Sequence, residues 1–192
     1  NIVMKIKTAL ISVYDKKNIK ALFDKLKKLK VNLISSGGTY KEIRKLGFKW
    51  QEISKFTNSP EILDGRVKTL HPKVHGGILS KRNNKSHKRE LKKNGFKEID
   101  LVIVNFYPFS EVIEKSKIHT KIIENIDIGG PTMVRAAAKN YNFVTVITNP
   151  SQYNSLINEL KKNNGKTTLK YREQLSLEAF LETGYYDSLI FN

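Results

Sequence analysis

Cysteine is missing from all 192 residues of the chain. That excludes disulfides, thiolate nucleophiles and cysteine-ligated metals, and it fits a reducing compartment. Long apolar runs are missing too: none approaches the ~20 residues that cross a bilayer. Neither end reads as a secretory signal. The expectation is a cytoplasmic protein with no membrane partner. At roughly 150 residues per domain, the length argues for one domain over 1–192.

Acidic residues are scarce. Lys and Arg number 35 against 18 Asp and Glu, for a net charge of +17. Such a balance raises the question of a nucleic-acid partner. Arginine is scarce as well, at six of those 35, while asparagine reaches 17 and isoleucine 20. A joint excess of Lys, Asn and Ile reads as compositional drift, and lysines scattered over residues 16–30 read as a solvated helix face. No nucleic-acid partner is expected. A positive field would still help recruit a phosphorylated small molecule.

The hydropathy pattern alternates between two periods. Short apolar runs at Thr8–Val13, Val31–Ile34, Leu101–Val104 and Val144–Ile147 read as strands. Helical spacing marks Asn18–Leu29, Tyr40–Leu46, Pro150–Leu160 and Leu169–Leu189. Lys81–Lys88 reads as a surface loop leading into a short helix. The alternation predicts an α/β fold in three layers, a mainly parallel sheet with helices on both faces. Ligands of such sheets bind beyond the carboxyl ends of the strands.

Four segments follow those ends. Tyr14-Asp15-Lys16 comes after the first strand. Ser36-Gly37-Gly38-Thr39 comes after the second, before a helix, and combines freed N–H groups, hydroxyls and a helix start into an anion site. Lys16 supplies a point charge. Arg66-Val67-Lys68-Thr69, with His71 close by, crowds hydrogen-bonding groups in a way that suits a polar ligand. Asn105 and Tyr107 follow the third strand, and Pro108 reads as a helix start. Asp127-Ile128 stands before Gly129-Gly130, which permit close approach of a ligand, and an alanine-rich helix follows. His71 and His75 are one helical turn apart without a third ligand, so no metal is expected. His75 reads as a packed or capping histidine. Lys139 ends the alanine-rich stretch. Thr132 to Lys139 spans ~10 Å if helical, so Lys139 reaches the other segments only if the chain folds over, or from a neighbouring subunit.

Taken in order, these motifs resemble the inosine monophosphate cyclohydrolase domain, the amino-terminal part of bifunctional purine biosynthesis proteins. They are Ile11-Ser-Val13 with Asp15-Lys16, Ser36-Gly-Gly-Thr39, Gly65-Arg-Val-Lys-Thr-Leu-His-Pro72, His75-Gly-Gly-Ile-Leu79, Asn105-Phe-Tyr-Pro-Phe109, Asn125-Ile-Asp-Ile-Gly-Gly130 and Arg135-Ala-Ala-Ala-Lys-Asn140. The resemblance runs from about Lys7 to the end.

It implies a methylglyoxal-synthase-like fold. It also implies dehydrative ring closure of 5-formamidoimidazole-4-carboxamide ribotide to inosine monophosphate. Residue by residue, it implies a phosphate site of Tyr14, Asp15, Lys16, Ser36, Gly37, Gly38 and Thr39. The base and ribose would meet Arg66, Val67, Lys68, Thr69, Val104, Asn105, Asp127 and Ile128. Lys68, Tyr107, Asp127 and Lys139 match the catalytic positions, with Lys139 as proton donor and acceptor. It further implies a homodimer and a covalently linked formyltransferase domain in the full-length protein. No cofactor is implied. Tyr14 stands where many relatives have serine, and Asn58-Ser59 replaces a Gly-Phe pair before Pro60.

Other readings predict other features. Methylglyoxal synthase, a phosphate-eliminating lyase on the same fold, would share the Ser-Gly-Gly-Thr cradle but leave Arg66–Pro72 unexplained. A nucleic-acid-binding module would cluster arginines with exposed aromatics. A nucleotide sensor on this fold would bind without turnover.

Overall fold

The computed structural model describes residues 3–36, 39–48, 50–107, 109–115 and 118–191. The elements run in order as β1 (Met4–Lys5), β2 (Thr8–Ser12), α1 (Ile19–Lys28), β3 (Asn32–Ser35), α2 (Thr39–Lys45), β4 (Trp50–Glu52) and α3 (Ile53–Thr57). Then come α4 (Pro72–Leu79), α5 (Lys85–Asn94), β5 (Leu101–Val104), α6 (Phe109–Lys115), α7 (His119–Glu124) and α8 (Gly129–Lys139). Last are β6 (Thr145–Ile147), a 3-10 turn at Pro150–Gln152, α9 (Tyr153–Lys162), β7 (Lys166–Thr167) and α10 (Leu169–Phe191).

Five strands form one parallel sheet in the order β4-β3-β2-β5-β6. Leu10 lies opposite Ile34 on one side and Val102 on the other. Every residue of β5 is buried. Successive side chains of a strand point to opposite faces, so the sheet is covered on both. Helix α8 lies over β5 and β6 and packs against α4 and α10, while α1 packs against α9. The expected α/β architecture is what the chain adopts.

Local sequence accounts for most elements. Helix α1 buries Ile19, Leu22, Phe23 and Leu26 on one stripe, the spacing of an amphipathic helix. Helix α5 starts where the Asn84 side chain accepts a hydrogen bond from the His87 amide at 3.0 Å, and it stops at Gly95, φ +67°; both are standard helix signals. It begins at Lys85, so the loop expected over Lys81–Lys88 is shorter than its pattern suggested. Pro108 falls outside the described residues; α6 begins at Phe109.

Two elements depend on tertiary partners. The two-residue strands β1 and β7 pair antiparallel as a separate ribbon. Beneath it, the wholly buried guanidinium of Arg172 donates to the carbonyls of Tyr141, Asn142 and Thr167. At the amino ends of β2 and β5, the Asp100 carboxylate accepts from the amides of Lys7 and Thr8 at 2.9 and 3.0 Å. Among the described residues, no helix is long and apolar enough to cross a membrane.

Candidate active site

The strand order sets the location. From β2 the chain moves outward to β3 and β4, then returns to the other side of β2 with β5. A crevice forms where the order reverses, beyond the carboxyl ends of β2 and β5. The segments after these strands are tied together there by Asn105. Its Oδ1 accepts from the Tyr14 amide at 2.6 Å and the Asp15 amide at 3.0 Å, and its Nδ2 donates to the Asp15 carbonyl at 3.1 Å. The amide of Asn105 therefore reads main chain and fixes the loop that carries Lys16.

Two adjoining clefts open beside this tie. The first, about 570 Å³, is lined by Ser12, Ser36, residues 63–70, residues 123–124 and 126–130, and Met133. Lys68 and Asp127 share it. The second, about 640 Å³, is lined by Tyr14, Asp15, Lys16, Asn105, Tyr107 and residues of α10 that include Tyr186. Tyr186 connects the two, since the Asp127 amide donates to its hydroxyl at 2.8 Å.

In the first cleft, the loop before Lys68 is tightly wound. Leu63, Asp64 and Gly65 all have left-handed backbone, with φ of 54°, 55° and 81°. Ile62 and Val67 close the loop by exchanging hydrogen bonds at 3.2 and 3.3 Å. Two non-glycine residues in that region carry a conformational cost of the kind found at functional sites. The Lys68 ammonium lies 3.4 Å from Glu61, and Arg66 lies 3.5 Å from Glu124 on the rim.

Asp127 sits over the start of α8. Its Oδ1 accepts from the Gly130 amide at 2.9 Å, where the helix dipole favours a negative charge. The paired glycines leave room for the cleft side chains: a Cβ at Gly129 would fall 2.6 Å from Thr69 Oγ1, and one at Gly130 2.5 Å from Asp127 Oδ2, so either would displace its neighbour. Burial pushes the Asp127 carboxyl above its ordinary pKa, against the Gly130 hydrogen bond and the charge of Lys68. A carboxyl held in that way is suited to exchange protons nearer neutrality.

The expected residues distribute as follows. Ser36, Arg66, Val67, Lys68, Thr69, Asp127 and Ile128 line the first cleft. Tyr14, Asp15, Lys16, Asn105 and Tyr107 line the second. The rings of Tyr14 and Tyr107 meet edge-on at 4.3 Å, and their hydrogen bond is the main cause raising the Tyr14 pKa. Thr39 is buried and faces inward, its hydroxyl donating to the Val13 carbonyl at 3.2 Å and accepting from the Val13 amide at 3.3 Å. Val104 is buried at the strand end and lines neither cleft. Gly37 and Gly38 lie outside the described residues.

Lys139 is not brought to these groups. It lies at the far end of α8 from Asp127, about 15 Å of helix away. It borders a separate cleft of about 280 Å³ with Leu79, Lys81 and Asn142.

His71 caps α4, its Nδ1 accepting from the Lys73 amide at 3.0 Å. His75 is half-buried, and burial lowers its pKa. Among the described residues, no cluster of His, Asp and Glu fit to hold a metal occurs. Ser12 and Glu124 line the first cleft, Tyr186 lines the second, and Glu61 pairs with Lys68; none of the four was assigned to the site from the sequence. Only Ser12 carried a signal, as the last residue of a strand.

Comparisons with known proteins agree with the fold. Residues 18–132 match the model of the MGS-like domain, and residues 137–192 match that of the AICARFT/IMPCHase bienzyme. Over 189 residues, 98% of this chain, it is 47% identical to the bifunctional purine biosynthesis protein PurH of Agrobacterium fabrum. Over 182 residues, 95% of this chain, it is 48% identical to PurH of Persephonella marina. The chain spans 35% of the length of each of these relatives. The crystal structure of ForH superposes with a TM-score of 0.85 and 33% identity, over 96% of this chain and 97% of that one.

Proposed function

The chain belongs to the MGS-like domain family, and on that premise we propose that it is an inosine monophosphate cyclohydrolase. It would be the cyclohydrolase part of a bifunctional purine biosynthesis protein whose formyltransferase domain lies outside this chain. The observation that carries the reading is the sharing of one strand-end cleft by Lys68 and Asp127, with the lysine's charge acting on the buried carboxyl.

The substrate carries a carboxamide and a formamido group on adjacent ring carbons. The carboxamide nitrogen attacks the formyl carbon, forming a C–N bond. The formyl oxygen then leaves as water, with one hydrogen from each of the two nitrogens. No electron is transferred to or from the substrate, and no group comes from outside it, so the reaction as written needs no cofactor.

Within this reading, Lys16, Ser36, Gly37 and Gly38 hold the phosphate. Holding the two reacting groups in register removes up to ~7–11 kcal/mol of entropic barrier. Lys68 supplies a donor to the oxyanion that develops on the formyl oxygen. Asp127 accepts a proton from nitrogen, and Tyr107 serves the leaving oxygen from the neighbouring cleft. Lys139 comes to the substrate from a second copy of the chain, which makes the homodimer part of the proposal. The setting is the cytoplasm.

A spectrophotometric assay of ring closure with the formylated ribotide tests the reading. Enzyme-dependent formation of inosine monophosphate is the expected result. Binding of inosine monophosphate without turnover would replace it with a sensor role.

A further inference from the structure

Resting on the ring-closure reading above, we infer that Tyr186 is a positioning residue for that reaction, holding Asp127 over the start of α8 and keeping the Phe106–Tyr107 segment in register with it. Tyr186 belongs to α10, 59 residues from Asp127 in sequence. Its hydroxyl accepts the Asp127 amide at 2.8 Å. Its ring lies 5.1 Å from that of Phe106 and 6.4 Å from that of Phe109. Tyr186 is 4% exposed, whereas the adjacent Tyr185 is 61% exposed. One buried side chain thus touches the main chain of the proposed base and the residue preceding the proposed acid, at the seam between the two clefts.

The hydrogen bonds of Asp127 divide the work. The Gly130 amide fixes its carboxylate, and Tyr186 fixes its backbone. Without the phenol oxygen, the amide of residue 127 loses its protein acceptor and the loop between α7 and α8 is free to move outward. A displacement of about 1 Å costs on the order of 10²-fold in a reaction that depends on alignment. The groups that face the Asp127 carboxyl are Lys68, itself paired with Glu61, the Gly130 amide and Tyr186, with Glu124 and Arg66 on the same cleft.

The substitution Tyr186→Phe keeps the ring and removes the acceptor. Turnover and KM for the formylated ribotide, the Asp127 carboxyl titration by carbon-detected NMR, and exchange of the Asp127 amide hydrogen are measured in both chains. We expect kcat to fall by about 10-fold or more with KM changed by less than about 3-fold, the split for a group acting on geometry alone. The Asp127 carboxyl should titrate lower in the variant, as the loop becomes more solvated. The amide should exchange at least about 10-fold slower in the wild type, as loss of one hydrogen bond implies.

An unchanged kcat in a folded variant, an unchanged Asp127 titration, or a wild-type amide without protection overturns the inference. The wild-type exchange rate decides this even if the variant does not fold. A wild-type chain that closes no ring defeats the functional reading alone, because the titration and exchange still decide whether Tyr186 positions Asp127.

Discussion

The Lys68 ammonium rests 3.4 Å from the Glu61 carboxylate, with both side chains partly open to solvent. A partly exposed pair of this kind is worth about 0–1 kcal/mol, so an arriving substrate can draw Lys68 away at little cost. Lys68→Ala should leave binding of inosine monophosphate measurable by calorimetry. Steady-state turnover should fall at least ~10²-fold, the range for loss of one transition-state donor. Turnover at the wild-type level would remove Lys68 from the chemistry.

Asp127 links activity and stability to pH. Burial raises its carboxyl pKa in the folded chain above the unfolded value. The fold therefore favours the protonated form, and stability declines as pH rises from the unfolded carboxylate range, about 4, through the folded value. Asp127→Asn keeps an Oδ1 that accepts from Gly130 and cannot ionise. It should be more stable than the wild type at pH 7 by urea titration, and flatter across the acidic range. Its turnover should drop at least ~10²-fold, as for loss of a general base, and the acidic limb of the wild-type kcat/KM profile should lie above the ordinary carboxylate range.

Asn105→Ala removes both the acceptor for the Tyr14 and Asp15 amides and the donor to the Asp15 carbonyl. The loop bearing Lys16 loses its anchor. Affinity for inosine monophosphate should weaken by about 10-fold, the worth of one to two net hydrogen bonds. An affinity equal to the wild type's by calorimetry would mean that this loop does not hold the ligand.

Arg172→Met should destabilise the chain without touching either cleft. Three carbonyls, the buried one of Thr167 and the partly buried ones of Tyr141 and Asn142, lose their donor. The loss is about 3 kcal/mol, read as a lower urea midpoint, with KM unaltered in the surviving folded fraction.

The apolar runs at Thr8–Val13, Val31–Ile34, Leu101–Val104 and Val144–Ile147 made the sheet readable, because strands covered on both faces are mostly apolar. Strand β4, Trp50–Glu52, escaped for the opposite reason: it sits at the edge with two of its three residues exposed. Helix α4 was hidden by its glycines. Gly77 is needed because a side chain there would strike the Lys97 carbonyl, a fact of tertiary packing. The site residues were legible as polar segments after strand ends. Their division between two clefts was not, since it depends on where Tyr186 crosses from α10. The isolation of Lys139 followed from helix geometry alone.

The Asn105 clamp has a consequence for how this protein can vary. It grips Tyr14 and Asp15 by their peptide groups, so a change of side chain at position 14 leaves the grip intact. Loop length is another matter. One residue added or deleted between positions 12 and 15 would put the wrong peptide units opposite the amide and carry Lys16 out of reach, so this turn should diversify by substitution and never by insertion.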